Sequence, residues 1–328
     1  MPARPLTDDT ITALVADATA APSLHNAQPW RFRYNRAART FRLRADLARS
    51  MEHTDPHGRA LHIGCGAALL NLRVAVAHAG WRAVTELLPE SGDPGLLATV
   101  QLTAPEPGGD GLARLHGAIS RRHTSRRPFE ERDIPPDVRN ALRDAAALEG
   151  ARLEFPGPEH VHAVLETIRE AEDWDYQDRD KDEDLARWTH LGPGTPPPDG
   201  VPEYAFGPRR SAGAAPVRDF AGRRAVADRP TARFERTPHL ALLSTLEDRP
   251  VDWLRAGQAL ERVLLVATAE GLASSFATQP VERDDLRWLL RDPVHGRGVV
   301  QMVLRLGYGP PGPWTPRRPL RDVLDIEP

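Results

Sequence analysis

The sequence predicts an α+β protein built from two tandem halves, and three observations carry that reading. Two long, mostly apolar helical stretches, residues 56–79 and 252–270, each run into a glycine, Gly80 and Gly271, the residue that best tolerates the left-handed step after a helix. Within them, Gly66-x-Ala68-Leu69 and Gly257-x-Ala259-Leu260 stand at the same distance from those glycines. Short segments with period-two alternation surround the helices, and a Pro/Gly-rich run from Pro105 to Gly111 separates the halves. The expected division is therefore 1–110 and 111–328.

In chain order, Thr7 is placed to cap a first helix, with Asp8 and Asp9 at its positive end and Ile11, Leu14, Val15 and Ala18 as its buried stripe. Trp30 to Tyr34 and Thr40 to Arg44 read as a hairpin, Trp81 to Leu88 and Leu96 to Leu102 as further strands. A helix through Leu142 and Ala146, a strand between Ala151 and Phe155, and a helix from Glu159 to about Tyr176 follow. His239 to Leu246 and Val299 to Leu306 are expected strands, the latter closing the core. From about residue 178 to 230 the chain is first acidic and then Pro/Gly-rich, including Gly192 to Pro202. An insertion of this length is either disordered or a lid, and Trp188, Tyr204 and Phe206 supply apolar anchors for a lid.

Composition narrows the function classes. The 328 residues, 40% hydrophobic and 27% charged, suit a globular chain with a sizeable core. A net charge of −3 argues against nucleic-acid and membrane-surface binding. No uninterrupted apolar run approaches the roughly 20 residues of a membrane span, and Asp8, Asp9 and Asp17 occupy the place of a signal peptide's apolar core. Cys65 is the single cysteine, so no internal disulfide is available and a cytoplasmic setting is expected. Lys181 is the one lysine among 43 basic residues; a phosphate site here must use arginine forks or backbone amides.

Two stretches carry candidate chemistry. Ala21 to Phe32 places Ser23, His25, Asn26 and Gln28 in a turn bounded by Pro22 and Pro29, ahead of Trp30 and its strand. It can present amides to a flat heteroaromatic ligand, or simply join helix to strand as an Asx turn. Ala118 to Phe129 concentrates Arg121, Arg122, His123, Thr124, Ser125, Arg126 and Arg127, either a seat for a dianionic phosphate or a solvated basic face.

The turn resembles the N-terminal signature of the flavin-dependent nitroreductase superfamily, in which Pro-Ser-x-x-Asn-x-Gln-Pro-Trp contacts FMN. The arginine run resembles that family's Arg-Arg-x-Ser-x-Arg-x-Phe opening, with Thr124 where serine is usual. The two stand in the reverse of their usual order, and the whole is most similar to the two-repeat, lidded Acg-like branch. The resemblance implies a nitroreductase-like fold in which one chain forms a pseudo-dimer, more often a monomer than a homodimer. It implies FMN contacts from Ser23, His25, Asn26, Gln28, Pro29 and Trp30, with Asn26 and Gln28 at the pyrimidine edge, and phosphate and ribityl contacts from Arg121, Arg122, Thr124 and Arg126. Gly271, Leu272 and Ala273 resemble the turn that packs on the flavin edge; Arg317 or Arg318, after the closing Leu-Gly-Tyr, resembles a further phosphate ligand. His25 reads equally as a donor to flavin or substrate and as a buttress.

An FMN-dependent oxidoreductase is implied, passing hydride through flavin N5 to a small flat acceptor such as a nitroaromatic or quinone, with NAD(P)H as donor. The alternative is a flavin-sequestering or stress-response protein whose lid prevents turnover. Other motifs carry less. Gly64-x-Gly66-x-x-Leu69 has no preceding strand and lies within a helix, unlike a dinucleotide fingerprint. His53 with His57 and His160 with His162 lack a third metal ligand, no Gly-x-Ser-x-Gly elbow occurs, and Cys65 reads as core.

Overall fold

The computed structural model describes residues 6–104, 111–192, 194–292 and 296–328, so all of the expected linker but Gly111 lies outside the described residues. Helix α1 (Asp8–Thr19) begins as expected, the Thr7 hydroxyl accepting from the Thr10 amide at 3.3 Å. Strands β1 (Trp30–Asn35) and β2 (Thr40–Ala45) form the hairpin, each burying alternate residues. With β3 (Arg82–Leu87) and β4 (Leu96–Thr103) they make the front sheet, whose core holds Trp30, Phe32, Tyr34, Phe41 and Leu43.

That sheet has a fifth strand which the sequence reading missed. Leu324–Glu327 pairs in parallel with β1, Phe32 opposite Leu324. The strand ending at Leu306 is therefore not the last, and a cut at residue 110 does not separate the sheets: the C-terminus returns to complete the front one. Leu324 and Ile326 pack on the front core, a short apolar alternation hidden behind a proline-rich tail.

The rear sheet runs, in order, Ala273–Phe276, Val299–Gly307, His239–Thr245 and β5 (Arg152–Glu154). Gly271 takes the left-handed conformation at the end of its helix (φ 76°), but Ala273 onward is strand rather than turn. Between the sheets lie helix α2 (Arg59–His78) and the helix Pro250–Ala269. α2 is 20 residues long and apolar enough on average to cross a membrane, a property the search for uninterrupted runs overlooked. Here it is a core helix, with Leu69, Leu72 and Val76 fully buried. The two helices touch at glycine: a Cβ on Gly66 would lie 2.3 Å from the Leu254 carbonyl oxygen. Cys65 is buried in α2, its thiol donating to the Pro29 carbonyl at 3.2 Å; burial pushes its pKa up and leaves it unreactive.

The insertion is folded. It opens with the helix Arg179–Arg187, makes two short parallel pairings, and encloses its own cluster of Val201, Ala205, Phe206, Phe220, Ala221 and Val226. Trp188 anchors it against Ala27 and Met51. Tyr204, expected as a third anchor, is 54% exposed.

Candidate functional site

Segments far apart in the chain meet around one cavity with a polar rim and an apolar interior, the usual make-up of a small-molecule site. Its walls come from the turn at 22–26, the first turns of α2, residues 122–126, the insertion and the tail around Arg317. Proline-bounded segments form two of these walls because their backbones cannot continue a helix or join a sheet interior.

At one end two guanidinium groups converge. Arg122 and Arg317 each donate to the Ala20 carbonyl oxygen at 3.0 Å. Arg317 also donates to the Thr19 carbonyl, the Thr315 hydroxyl and Asn26 Oδ1. Burial and the Arg122 charge pull Arg317 down to about 9. The carboxylate facing them is Glu261, fully buried on the second central helix with Oε1 3.4 Å from Arg122 Nε. Neither Glu261 oxygen nor Arg122 Nε has a hydrogen-bond partner; burial raises Glu261 to about 7 against the attraction of Arg122.

At the other end the insertion supplies Arg218, held by Glu282 through hydrogen bonds of 2.9 and 2.6 Å. Its Nη1 also lies 3.0 Å from His25 Nε2. A guanidinium only donates, so Nε2 accepts and the imidazole proton sits on Nδ1, a buried atom without a partner. Burial first, then Arg218, pulls His25 down to about 3, leaving the ring neutral at neutral pH. Arg126 lies over Phe220, 4.5 Å from the ring centroid, and donates to the Ala205 carbonyl. Ile63, Leu260, Phe276 and Met302 give the cavity an apolar middle.

The turn is strained. His25, Asn26 and Gln28 have φ of 47°, 56° and 55°, a region that costs a non-glycine residue about 1–3 kcal/mol. Hydrogen bonds hold it there. The Ser23 hydroxyl accepts from the Gln28 amide at 2.9 Å, Asn26 Nδ2 donates to the Gly200 and Pro316 carbonyls, and Gln28 joins Pro198 to the Arg318 amide.

Of the residues singled out from sequence, Ser23, His25, Asn26, Arg122, His123, Thr124, Arg126 and Arg317 line the cavity. The others do not. Arg121 is exposed and donates to the Gly117 carbonyl, one helical turn back. Trp30 is core, and Pro29 packs against α2 near Gly64. Gln28 is fully buried, and Arg318 turns away to Asp46 at 3.0 Å. Gly271, Leu272 and Ala273 lie at the rear sheet, Leu272 within its core. Asn26, on the cavity wall, and the buried Gln28 both use their side chains on the protein's own backbone, and Asn26 Oδ1 also accepts from Arg317.

Sequence reasoning missed Arg59, Arg218, Phe220, Glu261 and Glu282. Only Glu261 left a signal, a charge on the apolar face of a central helix. Arg218 sits in low-complexity sequence where pattern carries nothing.

Fold and site together define a two-sheet α+β protein with an arginine-lined cavity beneath an inserted segment. No protein-family model matches the chain. It is 34% identical to a Mycobacterium tuberculosis protein, Rv3127, over 94% of this chain and 91% of that one. It is 31% identical, over 99% of this chain and 98% of the other, to the M. tuberculosis protein named "Putative NAD(P)H nitroreductase acg". A nitroreductase from Bacteroides fragilis, crystallised with bound FMN, is 17% identical with a TM-score of 0.38, covering 63% of this chain and 94% of that one. On the full-length relatives, the chain belongs to the nitroreductase superfamily.

Proposed function

We propose that the protein is an FMN-dependent oxidoreductase that reduces a small flat acceptor, a nitroaromatic or a quinone, with NAD(P)H as donor. The observation that carries the reading is the pair of guanidinium groups on the Ala20 carbonyl. Two buried like charges need counter-charge; Glu261 supplies one carboxylate for the two arginines, and Arg122 Nε makes no hydrogen bond, which leaves donors for a further anion. The donor set fits FMN: Arg122, Arg317 and Thr124 for the phosphate, and Ile63, Leu260 and Met302 as the apolar lining of the ring.

When bound, FMN supplies hydride chemistry, and the protein's part is to bind, orient and exclude water. Asn26 holds Arg317 in place through Oδ1. Val201 and Phe220 cover the cavity from the insertion, which we read as a lid. His25, neutral and with its proton fixed on Nδ1 by Arg218, offers a donor whose state is independent of pH near neutrality.

The repeat reading is part of the proposal. Residues 1–110 contribute one long helix and four strands of the front sheet, residues 111–328 the other long helix, the rear sheet and the fifth front strand, and the reciprocal approach of Gly66 and Gly257 supports an internal pseudo-dimer. A second reading, flavin sequestration, is favoured by the Arg218–Glu282 pair that ties the insertion across the cavity. Absorption spectroscopy of the purified protein tests the cofactor; a colourless protein that binds no added FMN would refute both readings. Stopped-flow reduction by NAD(P)H and reoxidation by a quinone separates them, since cycling within seconds is incompatible with storage.

A further inference from the structure

Glu261 is a fully buried carboxylate at the arginine end of the cavity. It lies on the second central helix, its side chain has no solvent exposure, and it faces Arg122 across 3.4 Å with a geometry that makes no hydrogen bond. The Asn71 side-chain amide of α2, which acts on the carboxylate, and Arg317 of the tail are the other polar groups beside it. By contrast, the adjacent buried acid Glu149 is fully engaged, accepting from Arg73 at 2.6 Å and Arg262 at 2.8 Å. A carboxylate beside two arginines that themselves face a cavity is in direct competition with any anion entering it.

We propose that Glu261 is the exchangeable counter-charge of the phosphate seat: ionised, it balances Arg122 and Arg317, and it takes up a proton when a dianionic phosphoryl group engages them. The inference rests on the reading of Arg122 and Arg317 as the FMN phosphate seat. The physical reason is that two guanidinium groups and two anions of this strength do not fit one buried site; the cheaper charge to remove is the carboxylate, which burial already holds at about 7. A phosphate arriving within a few ångströms raises it further. Arg122 then turns from Glu261 to the phosphate, and the neutral carboxyl keeps the pocket from carrying excess negative charge. His123 also lines the cavity, its imidazole lowered by burial, Arg122 and Arg317; Arg317, lowered to about 9, stands beside Glu261, while His25 and Glu282 are held by Arg218 at the other end.

The consequence is a proton-linked affinity for the phosphate of FMN. Equilibrium dilution of the full-length holoprotein, read by flavin fluorescence, should show FMN affinity falling by about tenfold per pH unit between roughly pH 7.5 and 8.5, where FMN is already a dianion. Calorimetric titration in two buffers of different ionisation enthalpy should find roughly one proton taken up per FMN at pH 8. Riboflavin, which lacks the phosphate, should take up none. E261Q should bind FMN with no uptake and a flat profile over the same range, whereas H123Q should retain both the uptake and the slope. FMN binding without proton uptake would overturn the inference and leave the cofactor reading standing; so would uptake that persists in E261Q or disappears in H123Q. Failure of the wild-type protein to bind FMN would overturn both.

Discussion

Gly66 and Gly257 approach each other where the two central helices cross, each lying against the carbonyl three residues before the other. A Cβ on Gly66 would sit 2.3 Å from Leu254 O, and one on Gly257 2.1 Å from Ile63 O. This reciprocity is what the proposed internal pseudo-dimer would require. Because the obstruction is backbone on both sides, a methyl group can be admitted only by moving a helix. G66A should therefore lower stability by about 1–3 kcal/mol or more, in the manner of an overpacked core. G117A, where an added Cβ meets nothing within 4 Å, should be neutral or slightly stabilising. Urea unfolding of the two variants makes the comparison; equal midpoints would remove the crossing as a structural determinant.

Neighbouring arginines should differ sharply. Arg122 is buried beside the cavity while Arg121 points to solvent. R122A should weaken FMN binding by about 1.5–3 kcal/mol, the contribution of a charged hydrogen bond, and R121A should leave flavin content unchanged. Flavin-to-protein absorbance ratios after dialysis report both. An R121A protein that loses flavin would contradict the assignment of the seat.

Arg218 joins the insertion to the body of the protein through Glu282. Its side chain is 13% exposed and its partner Glu282 1%, so removing the arginine strands a buried carboxylate. R218A should lose about 3–5 kcal/mol, part of it recovered in R218A/E282Q. In both variants the insertion is less firmly held, and if it acts as the proposed lid, quinone reduction should be faster than in the wild type. Slower reduction in the double variant would mean that Arg218 serves the acceptor rather than the closure.

Acid should destabilise the closed site. His25 is held at about 3 and binds its proton more readily when unfolded, where imidazole has a pKa of about 6.5. Glu282 is lowered to about 2 by Arg218 and Lys181, overcoming its burial. For both groups the unfolded chain takes up protons first, so stability rises with pH. The Glu282 contribution is complete above about pH 5 and fades toward 2; that of His25 is complete above about pH 7 and fades toward 3. Thermal unfolding between pH 7 and 4 should fall more steeply in the wild type than in H25Q. Parallel curves would show that His25 is accessible to protons in the folded protein.

Much of the architecture was legible because it depends on local pattern. The alternation in Trp30 to Tyr34, the Thr7 cap and the glycines after the two long helices each reflect a property of neighbouring residues, and each element formed where the pattern placed it. Composition likewise fixed that any phosphate seat would be made of arginine. What the sequence could not decide was partnership across distance. Leu324–Glu327 becomes a strand only because β1 offers an open edge; Asn26 and Gln28 face the backbone of residues 198–200 and 316–318 because the insertion and the tail close over the turn. Arg121 and Arg122 are indistinguishable in a list of residues, yet in the turn that follows the short helix His116–Ile119 one points to water and the other to Glu261. The choice between them is made by burial, and burial exists only once the two sheets and their central helices have come together.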